Sequence, residues 1–223
     1  MKVLICGDSY CVTDPDYPGL HWSEKILNYS ADVEVINLSF GGCSNALIAL
    51  QLLQGLKFSP DFVIFSFTSD GRYELDKDVS AMPNSLSPVD VGAYIKDRYT
   101  TNNYKLDSKV EESLLNWMVT ASSPNFEKLK NYFYILFCLM TVKQQNINFC
   151  FSLGGFEYKQ DYTLLLNSNY VKNLITDYSD NELMTNLWTY PYNSKPYFHV
   201  NDDKAQTLFA KECISIMEKP WEI

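Results

Sequence analysis

Apolar and polar positions along this chain switch repeatedly between a period of two and a period of 3.6. Residues 3–6 (VLIC) are an unbroken apolar run, residues 33–38 (VEVINL) are apolar apart from Glu34 and Asn37, and residues 62–67 (FVIFSF) are a nearly unbroken run. Short apolar runs bounded by turn residues predict strands. The third is nearly all apolar, which predicts cover on both faces, as in a parallel sheet. Between these runs the spacing turns helical. Residues 21–29 (HWSEKILNY) put Trp22, Ile26 and Leu27 on one face, and residues 45–56 form a second helix. Asp14-Pro15 and Pro18-Gly19 mark the 7–19 loop, and residues 39–44 (SFGGCS) are a tight glycine turn. Strands alternating with helices at this spacing predict right-handed βαβ units.

The pattern changes after Asp70. Residues 71–124 hold turn residues, scattered charges and weak periodicity, and are read as an insertion or lid, partly helical around 110–119. A long helix is expected at 125–145, and a fourth strand at 148–153 (NFCFSL), ended by Gly154-Gly155. Residues 157–191 are aromatic-rich and irregular, with a short helix near 170–176. Residues 202–217 close the chain as an amphipathic helix, with Asn201 as its expected cap. No internal repeat is present. The expectation is a single domain over residues 1–223. Its predicted class is α/β, a three-layer α/β/α sandwich on a mainly parallel, flavodoxin-like sheet.

Composition narrows the function. At 223 residues, 46% apolar and 20% charged, the chain reads as globular. A net charge of −9 argues against nucleic acid and anionic membranes as partners. The most apolar window, residues 132–142 (YFYILFCLMTV), is about half a membrane span. The first strand follows Met-Lys at once, too short for the core of a secretory signal. Cysteines at 6, 11, 43, 138, 150 and 213 show no CxxC and no paired spacing, so reduced, mostly buried thiols in a cytosolic protein are expected. There is no Walker A motif and no GxGxxG. The segment GDSYC lacks the closing glycine of GxSxG. The two histidines, His21 and His199, are too far apart in sequence to begin a metal cluster. No metal or organic cofactor is expected.

The candidate chemistry lies where the first strand runs into Gly7-Asp8-Ser9. In an open parallel sheet, ligands bind at the carboxyl ends of the strands. Three loops meet that condition: Gly7-Asp8-Ser9, Gly41 to Asn45, and Ser66 to Asp70. A serine is a weak nucleophile without a base, and His199, just before the last helix, is the side chain suited to that task. Backbone N–H groups at Ser9 and Gly42 are placed to meet a developing oxyanion. Structural readings compete. Ser9 also suits a turn or cap, Asp8 a loop hydrogen-bonder, His199 a satisfied loop histidine, and His21 a helix start.

These blocks resemble the SGNH or GDSL-type hydrolases. That family carries GDS after the first strand, a glycine after the second, GxND after the third and DxxH before the last helix. Here GDS is Gly7-Asp8-Ser9, the glycine block is NLSFGGCSN at 37–45 with Gly42 as oxyanion donor, and His199 matches the base. The stretch from Asn201 to Ala210 resembles the family's helix entry. The resemblance implies ester hydrolysis of a small-molecule or saccharide substrate, such as a sugar-bound acetyl group. Two positions depart from it. Thr68 stands in place of the asparagine, leaving Thr68 or Asn45 as the third oxyanion donor. Losing one such donor costs roughly 3–4 kcal/mol. Pro196 stands in place of the aspartate, which leaves a Ser9–His199 dyad, with Asp202 and Asp203 as supporting carboxylates that also suit the helix N-terminus. The pattern, including TSDGRYE at 68–74, is most similar to the divergent members found in bacteriophage genomes. That adds a virion-associated setting to the cytoplasmic one. Two other classes stay open: a degenerate binding or virion structural protein on the same fold, and a flavodoxin-like phosphate or nucleotide binder using the 7–13 loop. Aromatic residues in 158–198 suit a sugar or acyl pocket.

Overall fold

The computed structural model describes residues 1–15, 17–41, 43–68, 73–74, 85–86, 124–154, 174–187 and 202–219. Its elements are β1 (Lys2–Gly7), α1 (Trp22–Leu27), β2 (Glu34–Asn37), α2 (Asn45–Gly55), β3 (Phe62–Ser66), β4 (Tyr73–Glu74), β5 (Ser85–Leu86), α3 (Pro124–Gln144), β6 (Asn148–Ser152) and α4 (Asp203–Met217). The expected helix around 110–119, most of the 71–124 insertion, and most of the aromatic 158–198 stretch lie outside the described residues.

The main sheet has the order β2-β1-β3-β6, every pair parallel. β4 and β5 form a separate two-residue antiparallel ladder. Strand side chains alternate between two cores, as the pleat requires. Leu4, Cys6, Val63, Phe65, Phe149 and Phe151 pack under α2 and α3. Val3, Ile5, Phe62, Ile64 and Cys150 pack on the opposite face, with Trp22, Ile26, Phe209 and Cys213 from α1 and α4. Burial on both faces explains why β3 reads as a continuous apolar run.

The connectivity fixes which helices share a face. The chain steps from β1 to β2 in one direction, then back past β1 to β3 and on to β6 in the other. Right-handed crossovers then put α1 on one face and α2 and α3 on the other. The direction reverses between β1 and β3, so a crevice opens at their carboxyl ends.

A fifth strand position lies beyond β6. Phe151 bridges Glu182 in parallel, Leu183 N–H donates to the Phe151 carbonyl at 2.8 Å, and Asn181 Nδ2 donates to the Phe149 carbonyl at 2.9 Å. The sequence reading has this stretch as irregular. One bridge is too short to leave a period-two pattern. The cap of α4 also differs from expectation. Asp202 Oδ1 accepts from Ala205 N–H at 3.1 Å, so Asp202 and not Asn201 is the N-cap. All six cysteines are buried and free, as expected from their spacing.

Candidate active site

Gly7 ends β1 under close contact. A Cβ there would lie 2.3 Å from Cys11 Sγ and 3.1 Å from Ser66 Cβ, so only glycine fits. Asp8 follows, wholly buried, and its Oδ1 accepts from Tyr10 N–H at 3.0 Å. Ser9–Cys11 then make one 3₁₀ turn, closed by Cys11 N–H to the Asp8 carbonyl at 3.0 Å. Ser9 is half-buried, while Tyr10 and Cys11 point into the core. Asn37 at the end of β2 holds the turn from outside, its Nδ2 donating to the Cys11 carbonyl at 2.7 Å. Of the three turn residues, Ser9 alone is partly accessible, at the carboxyl end of β1.

The loop from β2 to α2 lies against it. A Cβ built on Gly41 would stand 3.9 Å from Ser9 Cβ, with no closer neighbour. Gly42 lies outside the described residues. Ser44 caps α2, its Oγ accepting from Ala46 N–H at 3.1 Å and Leu47 N–H at 3.4 Å. Asn45 and Thr68 are both wholly buried and meet directly. Asn45 Oδ1 accepts from Thr68 N–H at 2.9 Å, and its Nδ2 donates to the Thr68 carbonyl at 2.9 Å and to Asn131 Oδ1 at 2.8 Å. The Thr68 hydroxyl has no hydrogen-bond partner among the described residues.

His199 lies outside the described residues, but the helix it precedes is anchored close to Ser9. Gln206 in the first turns of α4 accepts from Trp22 N–H at 3.0 Å, and Trp22 Nε1 donates to the Tyr10 carbonyl at 2.8 Å. Trp22 also packs at a tilt of 52° against Phe209, with ring centroids 4.8 Å apart. Asp202 is engaged as the cap, and Asp203 pairs with Lys25 of α1 at 2.7 Å.

His21 is the N-cap of α1. Its Nδ1 accepts from Ser23 N–H at 3.2 Å, and its Nε2 lies 3.0 Å from the Tyr10 carbonyl. An Nδ1 that accepts fixes the tautomer, so Nε2 carries the proton and donates to Tyr10. Burial lowers its pKa from 6.5 to about 4. His21 is therefore a neutral structural residue. The thiols near Ser9 are poor nucleophiles: burial pushes Cys6 and Cys11 well above the ordinary thiol range. No group of three or more metal-ligating side chains occurs among the described residues, and no described helix is long and apolar enough to cross a membrane.

No protein-family model and no curated protein matches the sequence. Solved structures do match over nearly the whole length. The acetyl xylan esterase AlAXEase aligns over 96% of this chain and 98% of its own, at 14% identity and a TM-score of 0.50. The psychrotrophic esterase EstA from Pseudoalteromonas sp., in a structure inhibited by monoethylphosphonate, aligns over 97% and 96%, at 12% identity and 0.51. A member of the lipolytic G-D-S-L family from Veillonella parvula DSM 2008 aligns over 98% and 99%, at 10% identity and 0.50. The parallel sheet, its strand order and these matches together give the chain the three-layer α/β/α fold of the SGNH/GDSL-type hydrolases.

Proposed function

We propose that this chain is a serine ester hydrolase of the SGNH/GDSL type, a divergent member of the kind found in phage genomes, acting on a small acyl ester such as a saccharide acetyl group. One observation carries the reading: in the turn after β1, at the switch point between β1 and β3, Tyr10 and Cys11 are buried while Ser9 stays partly accessible, with Gly41 of the glycine loop against it. Ser9 attacks the acyl carbon while His199 takes its proton. His199 then returns that proton to the leaving alcohol, and water releases the acyl-enzyme by the same steps. The N–H groups of Ser9 and Gly42 hold the oxyanion, with Thr68 as third donor and Asn45 behind it. Support for the base comes from α4. Its start is tied through Gln206 and Trp22 to Tyr10, the neighbour of Ser9, and His199 is three positions before Asp202, a separation a chain can bridge over at most about 10 Å. Asp8 supports the turn, while Asp202 and Asp203 serve the helix entry. The acetyl xylan esterase among the similar structures supports the acetyl-saccharide choice.

A second reading, a binding protein with a degenerate site, is favoured by one observation. Both N–H groups of Asn45 are engaged within the protein, and Thr68 is wholly buried. Turnover of 4-nitrophenyl acetate and of an acetylated xylo-oligosaccharide separates the two. The hydrolase reading expects hydrolysis that falls about 1,000-fold or more in Ser9→Ala and in His199→Ala. A folded wild type that binds the saccharide without hydrolysing either ester supports the degenerate site instead.

A further inference from the structure

We propose that Gln51 is a positioning residue for Ser9: its side-chain amide takes the place of a missing strand beside Gly7, and so sets the direction in which the Asp8-Ser9 turn leaves β1. The inference rests on the reading of Ser9 as nucleophile.

Gln51 is a buried polar residue in the middle of α2, on a helix otherwise dominated by alanine and leucine. Burying an amide is costly unless its groups are bonded. Here they are, and to one residue. Gln51 Oε1 accepts from Gly7 N–H at 2.7 Å, and Nε2 donates to the Gly7 carbonyl at 3.1 Å and to Cys43 Sγ at 3.6 Å. An amide that both accepts from and donates to one residue mimics a neighbouring strand. The neighbour it replaces is β2, whose pairing with β1 stops at Ile5 opposite Asn37. Phe40 N–H and Cys43 Sγ reach the same Gly7 carbonyl, at 3.1 Å and 3.2 Å, from the glycine loop. Gln51 therefore ties β1, α2 and the glycine loop together one residue before Asp8.

Asn45, six residues earlier on α2, does the same for Thr68 beyond the end of β3, where the pairing of β1 with β3 has already stopped at Gly7 opposite Ser66. The two sides of the crevice are thus set by side-chain amides from one helix. A misplacement of about 1 Å at a reacting group costs about 100-fold in rate, so an amide that fixes the backbone on both sides of Gly7, two residues before Ser9, has kinetic as well as structural weight.

The test is the rate at which a fluorophosphonate probe modifies the full chain, with the folded fraction followed by circular dichroism. Gln51→Met keeps the length and removes both hydrogen bonds. The proposal expects folded Gln51→Met to label about 100-fold more slowly than wild type. A purely structural Gln51 lowers the melting temperature and leaves the labelling of folded protein unchanged, which overturns the proposal. Gln51→Glu decides the matter if Gln51→Met does not fold. A neutral carboxyl keeps one acceptor and one donor for Gly7, giving up only the second amide N–H, whereas a carboxylate only accepts and is repelled by the Gly7 carbonyl. The labelling rate of Gln51→Glu relative to wild type must therefore rise as pH falls. A ratio that stays flat with pH overturns the proposal. Wild type that labels at Ser9 while either variant result fails leaves the Ser9 reading intact and removes only Gln51. Wild type that does not label removes both.

Discussion

Thr68 carries a wholly buried hydroxyl with no partner among the described residues. An unbonded buried hydroxyl is a stability cost of about 1–3 kcal/mol, and the proposed oxyanion role of Thr68 is one that would offset it. Thr68→Val keeps the shape and removes the oxygen. Its urea midpoint is expected to equal or exceed that of wild type, while ester turnover falls about 100-fold, the usual effect of losing an oxyanion donor. Unchanged turnover would remove Thr68 from the oxyanion hole. His21 makes a separate prediction, about pH. The folded state holds it neutral, with a pKa lowered from 6.5 to about 4 by burial. Between those values the unfolded chain binds more protons than the folded one. Stability from this residue is complete above about pH 6.5 and is lost as pH falls through about 4, by roughly 3 kcal/mol. Thermal melts across that window show the loss, and His21→Asn, a cap that does not titrate, flattens it. A slope unchanged in His21→Asn would contradict the assignment.

At the scale of elements, the junction of β1 with the Ser9 turn is packed to contact. A methyl on Gly7 meets Cys11 Sγ at 2.3 Å, and the buried sulfur has nowhere to go. Gly7→Ala is expected to lower stability by about 3 kcal/mol. Adding Cys11→Ala removes the clash and recovers most of it, a coupling that denaturation of the four proteins in the cycle measures directly. Additive losses would contradict the clash. Elements of this kind were legible in the sequence wherever burial marked the pattern, on one face for the helices and on both for β3. α2, β3 and α4 lie within a residue or two of their expected bounds, because burial on the sheet imposed the period. Residues 182–183 were not legible as a strand. They are held by one bridge and by Glu212, which accepts from Thr185 N–H at 2.9 Å and Thr185 Oγ1 at 2.6 Å, and such contacts leave no periodic trace.

At the scale of the molecule, the sheet order brings three distant loops to one edge. The place of Ser9, the proposed nucleophile, was legible because GDS directly follows the first apolar run, and that run is β1, an inner strand of the sheet. The partners that shape the site were not legible. Gln51 reaches Gly7 across 44 residues, and Asn45 reaches Thr68 across 23. Nothing local marks a helical glutamine as the substitute for a strand. It shows only once α2 is laid across the ends of β1 and β3.

The central claim is that Ser9 is an activated nucleophile. Intact-mass and peptide-mapping analysis after fluorophosphonate treatment tests it most directly. The account predicts one adduct, on Ser9, absent in Ser9→Ala and lost in His199→Ala. A folded wild type that carries no adduct, or one that stays in Ser9→Ala, would contradict it.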